Sequence, residues 1–209
     1  MVQREESCDK KFDHKFRFRG LLENPIVSNV QRAILDAGRV QGLRRALKPY
    51  DYASVLDVGC GLGEGSAVSK GFYCGLDNSV RRIQYAAHNY SKHFFLVGDA
   101  LKLPFAQQSF DVAMLVDTAH HLDDQQFRDV LLELKKVSRK YVVVSDPVFF
   151  ENQGKISTFF YRLDRGACFR TVEQMRKIFA TIEGLELVKT ESYQTFPGLY
   201  CHTTFILER

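Results

Sequence analysis

From residue 54 to residue 146 the chain repeats one pattern: a short run of apolar residues, then a stretch whose apolar positions recur every three or four. The runs are SVLDV, FYCGLD, HFFLVGD, FDVAMLV and YVVVSD. They are apolar throughout rather than alternating, as strands buried on both faces must be. The stretches between them read as a very short helix after the first run, a helix closing at Tyr90, and a helix from about Asp123 to Val137. Strands separated in this way by helices predict an α/β three-layer sandwich, its sheet mostly parallel.

Both flanks fit the same plan. Asn24-Pro25 reads as an N-cap and first helical position, followed by Ile26, Val30, Ile34, Leu43 and Leu47 at helical spacing, in one helix or in two broken near Gly38. Near the other end, Thr171 with Gln174 fits a capping box opening the helix TVEQMRKIFATI. Beyond it LELVKTESY and LYCHTTFIL meet at Pro197-Gly198, and strands joined so tightly must pair antiparallel. The expected sheet has seven strands and ends in a reversed edge hairpin. The connection between Pro147 and Arg170 is over-long for plain wiring and reads as a lid or substrate loop, residues 147–170.

Composition adds bounds rather than a new picture. With 209 residues, 45% hydrophobic and 26% charged, the chain is expected to be one folded domain over residues 1–209. Its five cysteines are scattered, odd in number and never paired as C-x-x-C, which reads as reduced thiols rather than a disulfide framework or zinc site. No apolar stretch is long enough to cross a bilayer, and MVQREESCDKKFDHK is too polar for a signal peptide, so a cytoplasmic protein without a membrane span is expected. The net charge of +4 is mild, although KKFDHKFRFR gathers basic residues with phenylalanines. That cluster is read as part of an N-terminal flap, residues 1–24, docking its rings on the domain; stacking on nucleic acid is the alternative.

The chemistry begins in VLDVGCGLGEG, where an acid ends the first strand and glycines follow at alternate positions. In parallel sheets, ligands bind beyond the carboxyl ends of the strands, where winding reverses. Glycines there let a ligand lie against the main chain. Asp57 at the strand tip would repel a pyrophosphate, and the glycine spacing is not that of a dinucleotide loop, so NAD is disfavoured. A ligand carrying an ammonium and a sulfonium would instead be attracted by that acid. S-adenosylmethionine has this charge pattern. Asp77, twenty residues on, stands where an acid can accept both ribose hydroxyls, and Asp99 after the third strand can accept an adenine amine while the Ala100 amide donates to the ring.

VLDVGCGLG, GLDNS, GDALKLPF and FDVAMLVDTAHHL resemble, in order and spacing, the successive motifs of class I S-adenosylmethionine-dependent methyltransferases, nearest the small-molecule, UbiE-like branch. The resemblance implies a Rossmann-like fold and the cofactor S-adenosyl-L-methionine. It would place Asp57, Gly59, Gly61 and Gly63 at the methionine portion, Asp77 and Asn78 on the ribose side, Asp99 and Ala100 at the adenine, and Val116 beside the sulfonium. Two features depart from it: a very short helix after the glycine loop, and Ser138-Arg139-Lys140 where a Gly-Gly turn is usual, expected to alter only a distal turn.

Methyl transfer is an in-line displacement, so a protein chiefly aligns the acceptor and excludes water, adding a base where the nucleophile arrives protonated. VDTAHHLDD brings His120 and His121 to the end of the fourth strand as candidate bases, with packing or helix capping as their alternative roles. HHLDD has no distant partner set and is not read as a metal site. In the lid, Tyr161, Arg165 and Arg170 are candidate acceptor-binding residues, suited to a ring-bearing or anionic substrate. The expected function is methylation of a small-molecule acceptor. The alternatives are an RNA or protein methyltransferase using the flap, and a non-catalytic cofactor-binding protein. Oligomeric state is not legible.

Overall fold

The computed structural model describes residues 38–150, 153–154, 157–158, 161, 168–194 and 201–209. Strand β1 (Ser54–Val58) lies inside the sheet, parallel to β2 (Phe72–Asp77) on one side and to β4 (Phe110–Val116) on the other. Beyond β2 comes the edge strand β3 (Phe94–Val97), and beyond β4 comes β5 (Ser138–Phe149), again parallel. Next to β5 lies β8 (Cys201–Glu208), antiparallel, with β7 (Glu186–Gln194) antiparallel outside it. The order β3-β2-β1-β4-β5-β8-β7 contains the seven strands and the reversed hairpin read from the sequence. An eighth, β6 (Arg170–Thr171), adds two residues beside Val148 and Phe149.

Because side chains alternate along a strand, β1 divides the core in two. Leu56 and Val58 face a layer made with α3 (Asp124–Val137) and α4 (Val172–Phe179), while Val55 faces α1 (Arg39–Leu47) through Leu43 and Leu47. Helix α2 (Val80–Asn89) packs on β2 and β3. The Thr171–Gln174 capping box is as the sequence predicts. Asp123 and Thr171 each form a reciprocal capping box, with Gln126 and Gln174. Gly38, at φ 94°, is the N-cap of α1.

Three local expectations change. The short helix after the glycine loop is a 3-10 helix, Glu64–Val68. Ser138-Arg139-Lys140 forms no turn; α3 ends at Val137 and these residues begin β5, where Arg139 joins Asp111 (3.0 Å) at the end of the sheet remote from the glycine loop. β5 runs on through Phe149, so the first residues read as lid are strand, and within the rest Ser157, Thr158 and Tyr161 are helical. The 1–24 flap, the helix expected before Gly38 and the Pro197-Gly198 turn lie outside the described residues.

Candidate active site

The order of the sheet reverses at β1, whose neighbours wind away in opposite directions, and the glycine loop leaves its tip there. The Gly59 and Cys60 amides donate to the Leu76 carbonyl (2.7 and 3.0 Å), which folds the loop across the end of β2. Gly59, Gly61 and Gly63 all have positive φ, 75°, 55° and 88°, the region that disfavours a side chain. Their surroundings differ. A Cβ on Gly59 would lie 2.3 Å from Thr118 Oγ1, and one on Gly63 would press on Ala86 and Phe95 at 3.0 Å, whereas one on Gly61 would meet nothing within 4 Å among the described residues. Gly61 is thus the point where bare main chain borders open space, the room a ligand lying on the loop requires.

Asp77, 4% exposed, fixes that point. Its Oδ2 accepts from the Gly61 amide (3.0 Å) and its Oδ1 from the Ser79 amide (2.9 Å), with Arg82 Nη1 3.7 Å away. Asp57 is 2% exposed. Tyr73 donates its hydroxyl to Oδ2 (2.7 Å), and Oδ1 has no hydrogen-bond partner among the described residues. Burial pushes the Asp57 carboxyl up to about 7, against the lowering influence of Tyr73 and Arg39, with Asp117 and Asp77 raising it further. Asp57 Oδ2 also explains a fourth glycine, because a Cβ on Gly65 would stand 2.1 Å from it.

At the tip of β4, Val116 is half-buried and Asp117 takes φ 49°, an uncommon conformation for a residue other than glycine. The Asp117 amide donates to Ser145 (2.9 Å), and its carboxylate receives the Arg39 guanidinium, which also reaches Glu64. Arg39 therefore spans the gap between the β4 tip and the end of the glycine loop. His202 Nδ1 stands 3.4 Å from the other Asp117 oxygen. Burial opposes the Asp117 charge, but Arg39 and then His202 and His120 carry its carboxyl below the usual range. His202 is pushed down, by burial first, although Asp117 and Asp146 favour its protonation.

The 3-10 turn Ala119–His121 then separates the two histidines. His120 is 4% exposed, its Nδ1 3.1 Å from Asp146 Oδ1 on β5 and its ring stacked on Phe169 at 5.0 Å. His121 is exposed. Arg170, 5% exposed, holds this turn from beneath: its guanidinium donates to the carbonyls of Ala119 (2.9 Å), Leu122 (2.7 Å) and Cys168 (3.2 Å) and to Asp124 (2.8 Å). Tyr161, 2% exposed, donates its hydroxyl to Val148 (2.7 Å) and accepts from the Cys201 amide (3.2 Å). Two of the three residues read as acceptor ligands, Tyr161 and Arg170, thus hold the end of β5 and the histidine turn.

Asp99 is exposed; its Oδ1 accepts from the Leu101 amide (2.9 Å), shaping the turn after β3, and Ala100 packs on the core beside it. Asn78 is exposed just past the β2 tip. Arg165 lies outside the described residues. Cys60, Cys74 and Cys201 are free thiols, but Cys168 is disulfide-bonded, contrary to the expectation of a fully reduced set. Arg39, Tyr73 and His202 are the polar residues of this region that the sequence reading missed. Each meets its partner from a different element, which no local spacing reveals.

Residues 56–143 match the family model of a methyltransferase domain. The chain is 30% identical over 142 residues to the O-methyltransferase cnsE of Penicillium expansum, a stretch covering 62% of this chain and 50% of that protein. It is 33% identical over 95 residues to the O-methyltransferase rstn1 of Aspergillus nomiae NRRL, 41% of each. The matches thus span half or less of these curated relatives. Magnesium protoporphyrin IX methyltransferase (ChlM) from Synechocystis PCC 6803, solved with bound SAH, is similar with a TM-score of 0.68 at 17% identity, over 92% of this chain and 93% of that one. At that identity the likeness is one of fold. The domain match falls on the glycine loop and the strands that carry the acids, so residues 56–143 are similar to a methyltransferase domain.

Proposed function

We propose that the protein is an enzyme that transfers the methyl group of S-adenosylmethionine to a hydroxyl of a small, ring-bearing acceptor. The observation that carries the donor half is the open, positive-φ main chain at Gly61, fixed by Asp77 and bordered by the buried carboxylate of Asp57. In this reading Gly59, Gly61 and Gly63 cradle the methionine portion, Asp77 and Asn78 take the ribose side, Asp99 and Ala100 the adenine, and Val116 lies beside the sulfur. Arg39, steadied by Asp117 and Glu64, is placed to meet a carboxylate. The bound cofactor supplies an electrophilic methyl carbon on a sulfonium. The protein's own task is to hold an acceptor oxygen in line with that carbon and to remove its proton.

His120 supports the second part. With Nδ1 committed to Asp146, its basic atom toward an acceptor is Nε2, and the buried carboxylate would stabilise the imidazolium formed on proton uptake. Phe149 and Phe169, in edge contact at 5.7 Å beside this turn, provide an aromatic surface for a ring-bearing acceptor. Tyr161 and Arg170 act on the acceptor indirectly, by holding Val148 and the histidine turn. The O-methyltransferase names of the two curated relatives agree with a hydroxyl acceptor.

The test is calorimetric titration with S-adenosylhomocysteine, followed by transfer of a labelled methyl group to a panel of phenols and alcohols. Binding by the unaltered protein, weakened at least tenfold in Asp77→Ala, is the expected outcome. Unchanged affinity in that variant would remove Asp77 from the donor site. Binding without turnover on any acceptor would leave a non-catalytic cofactor-binding protein, and turnover confined to RNA or protein would replace the acceptor class.

A further inference from the structure

Resting on the donor reading above, we infer that Tyr73 is a positioning residue of the methyl-donor site: by holding one oxygen of Asp57, it keeps that buried carboxylate ionised to attract the cationic donor. Tyr73 lies on β2, two strand positions before Gly75, the register partner of Asp57. It is 1% exposed and shares its burial with Asp57, so its hydroxyl and that carboxylate meet out of water at 2.7 Å. Its ring cannot drift, being held edge-on by His93 at 5.2 Å and Phe95 at 5.9 Å. This is the one hydrogen bond that Asp57 receives among the described residues, and the second oxygen, Oδ1, is buried without one.

An anion in that position is unstable unless something offsets its lost hydration. The charged and titratable groups around it are divided. Arg39 from α1 favours ionisation; Asp77 and Asp117, at the tips of β2 and β4, oppose it. The Cys60 and Cys74 thiols are themselves pushed up, by burial first, and stay neutral. The Tyr73 phenol is pushed up in the same way, so it remains a donor and never a competing anion. Because burial leaves the Asp57 carboxyl near 7, loss of one donated hydrogen bond moves its ionisation out of the neutral range, and a cation binding nearby must then displace a proton. The hydrogen bond and the donor's positive charge therefore act on the same oxygen pair.

Titration with S-adenosylhomocysteine, whose ammonium retains the charge, and with the cationic analogue sinefungin, from pH 5.5 to pH 9, tests this. For the unaltered protein the affinity should fall as pH drops through about 7, approaching tenfold per pH unit on the acid side, with proton release seen as a buffer-dependent heat. Tyr73→Phe, which keeps the ring and its packing, should move the same fall to higher pH by roughly half to one unit while converging on the unaltered affinity near pH 9. Asp57→Asn should give weak binding with no such fall. Coincident profiles for Tyr73→Phe and the unaltered protein would overturn the inference and reduce Tyr73 to core packing, leaving the donor reading intact. A uniform loss of affinity at every pH in Tyr73→Phe would overturn it as well, since that is what a distorted strand produces. No binding by the unaltered protein at any pH would instead overturn the donor reading itself.

Discussion

His120 and His121 are neighbours on one turn, their rings 4.1 Å apart, yet their surroundings differ. His120 is buried against Asp146, while His121 is exposed on the same turn. A base needs a basic nitrogen and a partner for the charge it acquires, and His120 has a carboxylate from another strand at 3.1 Å. His120→Gln is therefore expected to lower kcat by about 100-fold or more and to flatten the acid limb of the pH–rate profile. His121→Ala should alter kcat less than about threefold. Equal effects of the two substitutions on turnover, with unchanged profile shape in both, would return both histidines to packing.

At the scale of elements, the glycine loop shows how one motif serves two purposes. Gly59 and Gly63 are required by neighbours already present, Thr118 for the first and Ala86 with Phe95 for the second, whereas the described residues leave the space at Gly61 open. Gly61→Ala should thus cost only the left-handed backbone penalty, about 1–2 kcal/mol, yet weaken donor binding strongly. Gly59→Ala should destabilise the fold by more, because the same penalty is joined by a clash at 2.3 Å. Thermal unfolding and donor titration on both variants separate the effects; a larger stability loss at Gly61 would contradict this division. The histidine turn has its own support. Arg170 leads directly into the capping box of α4, so the element that closes the connection after β5 also fixes the turn after β4.

For the molecule as a whole, the acids at the strand tips make stability depend on pH in opposing ways. Asp57 has its carboxyl raised in the fold, to about 7 against an unfolded value of about 3.9, so its contribution is most favourable on the acid side and is lost as pH rises through 7. Asp117 and Asp111 are lowered, and their contributions hold above the ordinary carboxylate range and are lost as pH falls. In the donor-free protein, Asp57→Asn should accordingly raise the unfolding free energy at pH 8, by an amount on the order of 2–4 kcal/mol, and change it little near pH 3.5, below the unfolded value of about 3.9. The same gain at both pH values would show that ionisation of Asp57 is not what the fold opposes. Stability surrendered at that residue is what a site built for a cationic ligand would be expected to show.

Unbroken apolar runs, their helical spacers and the glycine loop sufficed to predict the order of elements, the parallel sheet and the reversed hairpin, because burial on two faces and a tight turn impose local, readable requirements. Motif spacing likewise located Asp57, Asp77 and Asp99 at successive strand tips. The roles of side chains that meet across strands could not be read in this way. Tyr73 on Asp57, Arg39 on Asp117, His202 beside it and Asp146 on His120 join residues 16 to 85 positions apart in sequence, and each pairing exists only once the sheet has its register. Tyr161 and Arg170 make the same point in reverse: their composition suited a ligand, but the fold placed their polar atoms against its own carbonyls. Periodicity is a property of neighbours along the chain, whereas hydrogen bonding in a buried site belongs to neighbours in space, which tertiary structure alone selects.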